Sequence, residues 1–335
     1  MKALITLGRD ERFATFFPKE NIALAESLGE VIWNEGEAQW SAEEAAKRIG
    51  DADVYVTGWD CPRLDETILD KAKNLKLMVH LCGTVAPYAS DAVWDRGVRV
   101  ISGNDIMAES VAEATVAYIL TAQRRIPFYH RRFTEQKIWR EEGDFTDSLL
   151  GKTVGLVSYG AIAKHLVRML SPFRVKIKVY DIKPLPEKDK AAYGLTEASL
   201  EEIFSTSDIV SLHTPLYAAT YRMIDDRLLS MMKKNALFVN TARAELVDTA
   251  ALMRHLNEGD FRAILDVYEE EPPRGDEPIF DCKNAILIPH MGGPTVNLRA
   301  YMTEVLLKEA SAYIKGEGTL VHEITKEMKN RMSLK

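Results

Sequence analysis

Short apolar runs alternate with amphipathic stretches along most of the chain. Ala3–Leu7 (ALITL), Ala52–Thr57 (ADVYVT), Leu75–Leu81 (LKLMVHL) and Val98–Ile101 (VRVI) are apolar runs of strand length. Between them, 22–28 predicts a helix that Gly29 would end. Ser41-x-x-Glu44 has capping-box spacing and starts another helix, continued by Ala45, Ala46 and Ile49. Strands separated by helices imply βαβ units and a parallel sheet. A long helical pattern over about 109–123 follows, with Val111, Ala114, Thr115, Tyr118 and Ala122 at helical spacing. The polar and aromatic stretch 124–147 carries few regular signals and reads as a connection.

A second alternating series begins at Gly151. It predicts strands at 153–157, 175–180, 209–212, 237–240, 262–267 and 285–288. Helices are predicted at 161–170, 200–204, 227–232, 249–257 and 296–314, with Gly316 past the last end. Two βα series imply two domains, each a doubly wound α/β sheet. No repeat at solenoid periods interrupts them.

Composition narrows the class. The 335 residues are enough for about two domains. With 46% apolar and 28% charged residues, the chain has the make-up of a soluble globular protein. The 43 basic against 50 acidic residues leave a net charge of −7, which argues against a nucleic-acid partner. It leaves anionic small substrates open, because a pocket is set by local charge. Three widely spaced cysteines, Cys61, Cys82 and Cys282, argue against a disulfide framework and a zinc site, so no metal is expected and a reducing cytoplasm fits. The N-terminus lacks a signal-peptide pattern, and the most apolar segment, 115–122, falls short of the roughly 18 residues a membrane span needs.

The string TVGLVSYGAIAKHL stands where a strand should turn into a helix. The G-x-G-x-x-G/A dinucleotide fingerprint falls on Ser158, Gly160 and Ala163. Gly160 lets the backbone approach a pyrophosphate, and the helix that follows offers N–H groups and a positive dipole end. Ser158 departs from the usual glycine, and a serine here is expected to keep β or bridge backbone geometry. Asp181 lies 21 residues after Gly160, at the end of a strand, where an acid hydrogen-bonds the ribose 2′-hydroxyl. A carboxylate there repels a 2′-phosphate, so NAD(H) is favoured over NADP, a preference that Lys183 softens.

Three further strings each end a strand: FVNTARAELVD with Arg243, LDVYEEEPP with Glu271 and ILIPHMGGPT with His290. Ligands of open α/β sheets bind beyond the carboxyl ends of strands, so a cation, a carboxylate and an imidazole can converge. Reduction of a 2-keto acid by NADH needs a proton at the carbonyl oxygen, which a histidine supplies and takes back in reverse. A carboxylate on the other ring nitrogen fixes the tautomer, and an arginine clamps the substrate carboxylate. Singly, such an Arg, Glu or His is usually a surface ion pair, a solvated side chain or a satisfied loop residue; the joint pattern carries the reading.

With LKLMVHLCGTV, RGVRVIS, ESVAEAT, SDIVSLHTPL and KGEG in order, the chain resembles the D-isomer-specific 2-hydroxyacid dehydrogenase family over nearly its whole length. The resemblance implies a Rossmann cofactor domain, 103–290, inserted into a discontinuous flavodoxin-like substrate domain, 1–102 and 291–335. It implies Arg243 on the substrate carboxylate, Glu271 paired with His290, and His290 as general acid/base. The loop at Cys82, Gly83 and Thr84 would offer N–H groups to the carboxylate. Cofactor contacts are implied along Ser158, Tyr159, Gly160, Ala161 and Ile162, and at Asp181. Others would come from His213, Thr214, Pro215, Thr241, Ala242, Arg243, His290, and Asp266 near the carboxamide. The helix from Glu109 and the stretch after it resemble the part used for homodimerisation.

Ser158, Ala244, Pro87 and Pro294 depart from the family pattern around the pocket and blur the substrate. Glu271 stands where formate dehydrogenases of the superfamily have Gln, and no C-terminal regulatory domain is expected. The expected activity is NAD-dependent interconversion of a 2-keto acid and a D-2-hydroxy acid. The alternative is an NAD(H)-sensing corepressor of the same fold with little turnover. His80 and the segment 59–63 lie either near the cleft or in surface and core.

Overall fold

A computed structural model describes residues 1–282 and 284–333. The chain divides into two compact units, one formed by Met1–Ala108 with Pro294–Lys335, the other by Glu109–Gly293. Among the described residues no helix is long and apolar enough to cross a membrane.

The first unit is built on a parallel sheet of β1 (Lys2–Ile5), β2 (Glu30–Trp33), β3 (Val54–Thr57), β4 (Leu77–His80) and β5 (Arg99–Ser102). Its order is β2-β1-β3-β4-β5, the flavodoxin-like doubly wound order. Every residue of β3 and β4 is buried, as strands covered on both faces require. Alternation sends Ile5, Val56, Val79 and Ile101 to one face, against Phe13, Phe16 and the helix Val296–Lys315. Leu4, Tyr55, Met78 and Val100 face Ala45, Ile49 and Val93 on the other. Ser41 and Glu44 form the expected capping box, and Gly29 ends its helix as expected. β2 is missing from the reading of the pattern. It is an edge strand, partly exposed throughout, so EVIW lacks the apolar run that marks a central strand.

The second unit holds seven parallel strands: β6 (Thr153–Val157), β7 (Lys176–Tyr180), β8 (Thr196–Glu197), β9 (Ile209–Leu212), β10 (Leu237–Asn240), β11 (Arg262–Leu265) and β12 (Ala285–Leu287). The order β12-β11-β10-β9-β6-β7-β8 places the order reversal at β6, between β7 and β9. This is the Rossmann arrangement, whose ligand crevice lies beyond the strand ends at that reversal. Val154 and Leu156 of β6 pack against Ala163, Leu166 and Val167 of the helix Ala161–Leu170. Gly155 on the same strand leaves room for the helix Leu200–Thr206, since a Cβ there would stand 2.7 Å from Ile203 Cγ2. Two-residue β8 and the helix Glu187–Tyr193 were not predicted; β8 is an exposed edge and the helix buries no residue.

The expected connection at 124–147 also contains a helix, Ile126–Glu135. Arg125 breaks from the preceding helix with φ 52°, and Pro127 starts the new one. None of its residues is buried, so no inward-facing apolar stripe marks it.

Candidate active site

β6 enters the helix Ala161–Leu170 through Ser158, Tyr159 and Gly160. Ser158 does not keep the expected β or bridge backbone: its φ is 80°, in the left-handed region. The tight turn imposes that conformation whatever residue fills it, at a cost of about 1–2 kcal/mol for a residue with a Cβ. Hydrogen bonds hold the turn in place. Ser158 N–H donates to Tyr180 O at 2.7 Å, the Ser158 hydroxyl lies 2.8 Å from Thr214 Oγ1, and Tyr159 N–H donates to Asp181 Oδ2 at 2.7 Å.

The same turn has the features a dinucleotide needs. A Cβ on Gly160 would meet no atom within 4 Å, so the space beside its backbone is open. No side chain caps the following helix among the described residues, which leaves its first N–H groups and its positive end for an anion at Ala161 and Ile162. Asp181, just past β7, is fixed by Tyr159 N–H and by Lys183 N–H at 2.9 Å. A carboxylate has further acceptor positions for ribose hydroxyls. Tyr159 is nearly buried, its hydroxyl 3.3 Å from Asp189.

Beyond β9, His213 is buried with Nε2 3.0 Å from Ser211 Oγ, and burial pushes its pKa down to about 4, so it stands neutral. Thr214 Oγ1 donates to Val157 O at 3.2 Å, and Pro215 O accepts from the Thr220 hydroxyl. Beyond β10, Asn240 braces the loop, accepting from Ala242 N–H at 3.0 Å and donating to Arg243 O at 2.8 Å. Thr241 is buried, its hydroxyl 3.4 Å from that of Thr115. Arg243 donates to Ala242 O at 2.6 Å. Burial lowers the guanidinium pKa, while Glu271 and Glu245 favour its charge; an arginine stays ionised through such a shift.

Glu271 and His290 meet beyond β11 and β12. Glu271 Oε2 lies 2.6 Å from His290 Nδ1, and Oε1 accepts from Tyr268 N–H at 3.0 Å. Both oxygens of the carboxylate are thus used to aim it. Among the described residues His290 Nε2 has no hydrogen-bond partner, and the side chain is 47% exposed.

Asp266 is 1% exposed and binds the backbone just after His290, accepting from Met291 N–H and Gly292 N–H, each at 2.7 Å. Burial raises its pKa, opposed by those two bonds. A Cβ on Gly292 would stand 2.6 Å from Asp266 Oδ2, so only glycine brings this backbone so close. His290 itself has φ 50°. This clamp, and Tyr268 bonding Ile288 O at 3.0 Å, escape a reading of the strings. Tyr268 stands only two residues from Asp266, but nothing in its position signals a brace. Tyr118 also faces Asp266, and its pKa is pushed up to about 12 by burial and that carboxylate.

Cys82, Gly83 and Thr84 belong to the first unit, after β4. Cys82 is buried, and burial raises its thiol pKa well above the usual range. The Thr84 hydroxyl donates to Ser333 O at 2.7 Å. His80 is fully buried, stacked on Tyr88 at 4.5 Å, with its pKa lowered to about 3 by burial, so it belongs to the core.

The sheet order, the glycine turn and the acid after β7 define a dinucleotide-binding domain of the Rossmann type. A family model described as "D-isomer specific 2-hydroxyacid dehydrogenase, NAD binding domain" matches residues 116–292. The chain is 32% identical over 318 residues to a glyoxylate reductase of Thermofilum pendens, covering 93% of each. It is 33% identical over 310 residues to a glyoxylate reductase of Thermococcus kodakarensis, covering 90% of this chain and 91% of that one. A phosphoglycerate oxidoreductase from Rhizobium etli superposes with a TM-score of 0.80 at 26% identity, over 97% of this chain and 99% of that one. The chain belongs to the D-isomer-specific 2-hydroxyacid dehydrogenase family. It is an oxidoreductase of CH–OH groups with a nicotinamide-dinucleotide domain.

Proposed function

We propose that the protein interconverts a small 2-keto acid and its D-2-hydroxy acid, with His290 as the general acid/base. The observation that carries this reading is the 2.6 Å contact of Glu271 with His290 Nδ1, which leaves Nε2 open. When bound, the nicotinamide would supply the hydride for reduction. Arg243 holds the substrate carboxylate by a charge-assisted pair. His290 gives its Nε2 proton to the carbonyl oxygen, and in the reverse direction takes it from the hydroxyl. Glu271 holds the ring and stabilises the imidazolium in between. Thr214, Pro215 and Ala242 would flank the nicotinamide side. Glyoxylate is the first substrate to try, since the two relatives above bear the name glyoxylate reductase.

NADH is the proposed cofactor, favoured by the Asp181 carboxylate after β7. The proposed assembly is a homodimer, supported by Ile126, Phe128, Phe133, Trp139 and Phe145, which are exposed along one stretch of chain. A cytoplasmic location suits three buried free cysteines.

The test is NADH and NADPH oxidation with glyoxylate, hydroxypyruvate, pyruvate and bulkier keto acids. His290→Ala is expected to lower turnover at least about a hundredfold with NADH binding kept. Full turnover in that variant removes the assignment of His290. Arg243→Ala is expected to lower kcat/KM for carboxylate substrates, and an unchanged value removes Arg243.

A further inference from the structure

We propose that Ser158 is a positioning residue for the dinucleotide, tying the pyrophosphate turn to the segment proposed to flank the nicotinamide. The inference rests on the reading that residues 158–162 take the pyrophosphate. Three observations support it. The backbone of Ser158 is left-handed, where glycine is the undemanding choice, yet a side chain is present. That side chain has a partner, Thr214 Oγ1, at 2.8 Å. Thr214 is buried, and its hydroxyl also lies 3.2 Å from Val157 O.

The Thr214 hydroxyl thus sits between the Ser158 hydroxyl and Val157 O. Val157 O also accepts from His213 N–H at 2.9 Å. The end of β6, the phosphate turn and the first residues after β9 are thereby stitched across the order reversal of the sheet. A glycine at 158 would fit the backbone without strain but would leave Thr214 held from one side only. Ser158 therefore exchanges backbone ease for a fixed spacing between the pyrophosphate turn and Thr214.

The experiment measures NADH affinity by fluorescence titration of the full-length protein without substrate, together with the melting temperature of the cofactor-free protein. Ser158→Ala and Ser158→Gly are each expected to raise the NADH Kd about five- to tenfold. Thr214→Val should do the same, with Thr214→Ser restoring most of the lost affinity. The double variant Ser158→Ala/Thr214→Val should be no weaker than Thr214→Val alone, because each single variant already breaks the Ser158–Thr214 bond. NADH affinity within about twofold of wild type in both Ser158 variants, or additive losses in the double variant, overturns the proposal. Gly160→Val separates this from the underlying reading. A Cβ there meets no atom within 4 Å, so the variant should abolish NADH binding while the cofactor-free melting temperature holds. If Gly160→Val binds NADH normally, the pyrophosphate reading fails. If it blocks binding while the Ser158 variants bind normally, only the stitch fails.

Discussion

Asp266→Asn tests whether the buried carboxylate under the His290 turn holds that turn in place. Asp266 accepts two backbone N–H groups, of Met291 and Gly292, each at 2.7 Å. An amide has one acceptor and one donor end, so it can satisfy only one of them. The bond it keeps becomes neutral, a loss of about 1 kcal/mol. The other N–H faces an NH2 group and goes unsatisfied, a loss of about 1–3 kcal/mol. The amide escapes the burial that outweighs those bonds and raises the carboxyl pKa, which cancels the charge-assisted part of the loss and leaves that of the unsatisfied N–H. The net expectation is a destabilisation of about 2 kcal/mol, or about 4–8 °C in Tm for a domain of this size. Circular-dichroism melts of both proteins at pH 7 measure it, and kcat should fall with stability because His290 adjoins the freed backbone. The pH dependence adds a sign. The folded pKa of Asp266 lies above its ordinary 3.8, so its contribution is fullest below 3.8 and is lost as pH rises through the folded value. The advantage of wild type over the variant should therefore grow as pH falls through that window. A variant that melts within about 1 °C of wild type and turns over normally would refute the clamp.

Two further expectations concern the frame around the site. Burial disfavours charge on His255, but Asp260 and Asp226, each 2.9 Å from a ring nitrogen, outweigh it and raise the pKa above 6.5. Arg254 shares Asp226, and Phe261 stacks on the ring. Stability from this group is fully present below pH 6.5 and lost as pH rises through the folded value, so melts across pH 5.5–9 should show a decline that His255→Gln lacks. Equal slopes in both proteins would remove the contribution. Gly155→Ala places a Cβ against Ser207 Oγ and 2.7 Å from Ile203 Cγ2, where the helix Leu200–Thr206 and the turn after it close on β6. Overpacking of about 1–3 kcal/mol should lower the urea midpoint with the m-value unchanged, and an unshifted midpoint would show that the helix can yield.

The sequence by itself determined the alternation of strands and helices, because central parallel strands are buried on both faces and read as apolar runs such as TVGLV and LKLMVHL. It also picked out Glu271 and His290, which the fold brings to 2.6 Å, from strings that each end a strand. Edge strand β2, two-residue β8 and the helix Ile126–Glu135 left no such trace, since they bury little within the chain. Only the tertiary structure decided how the turns are held. Ser158 takes the left-handed backbone that the tight turn imposes, and partners remote in sequence, Tyr180 and Thr214, hold it there, where the local residue type favoured an ordinary conformation. Asp266 serves the backbone of Met291 and Gly292 because β11 and β12 pair in parallel and bring their ends together. Spacing along the chain records which residues a strand end presents; which atoms then meet depends on neighbours that only the folded sheet supplies.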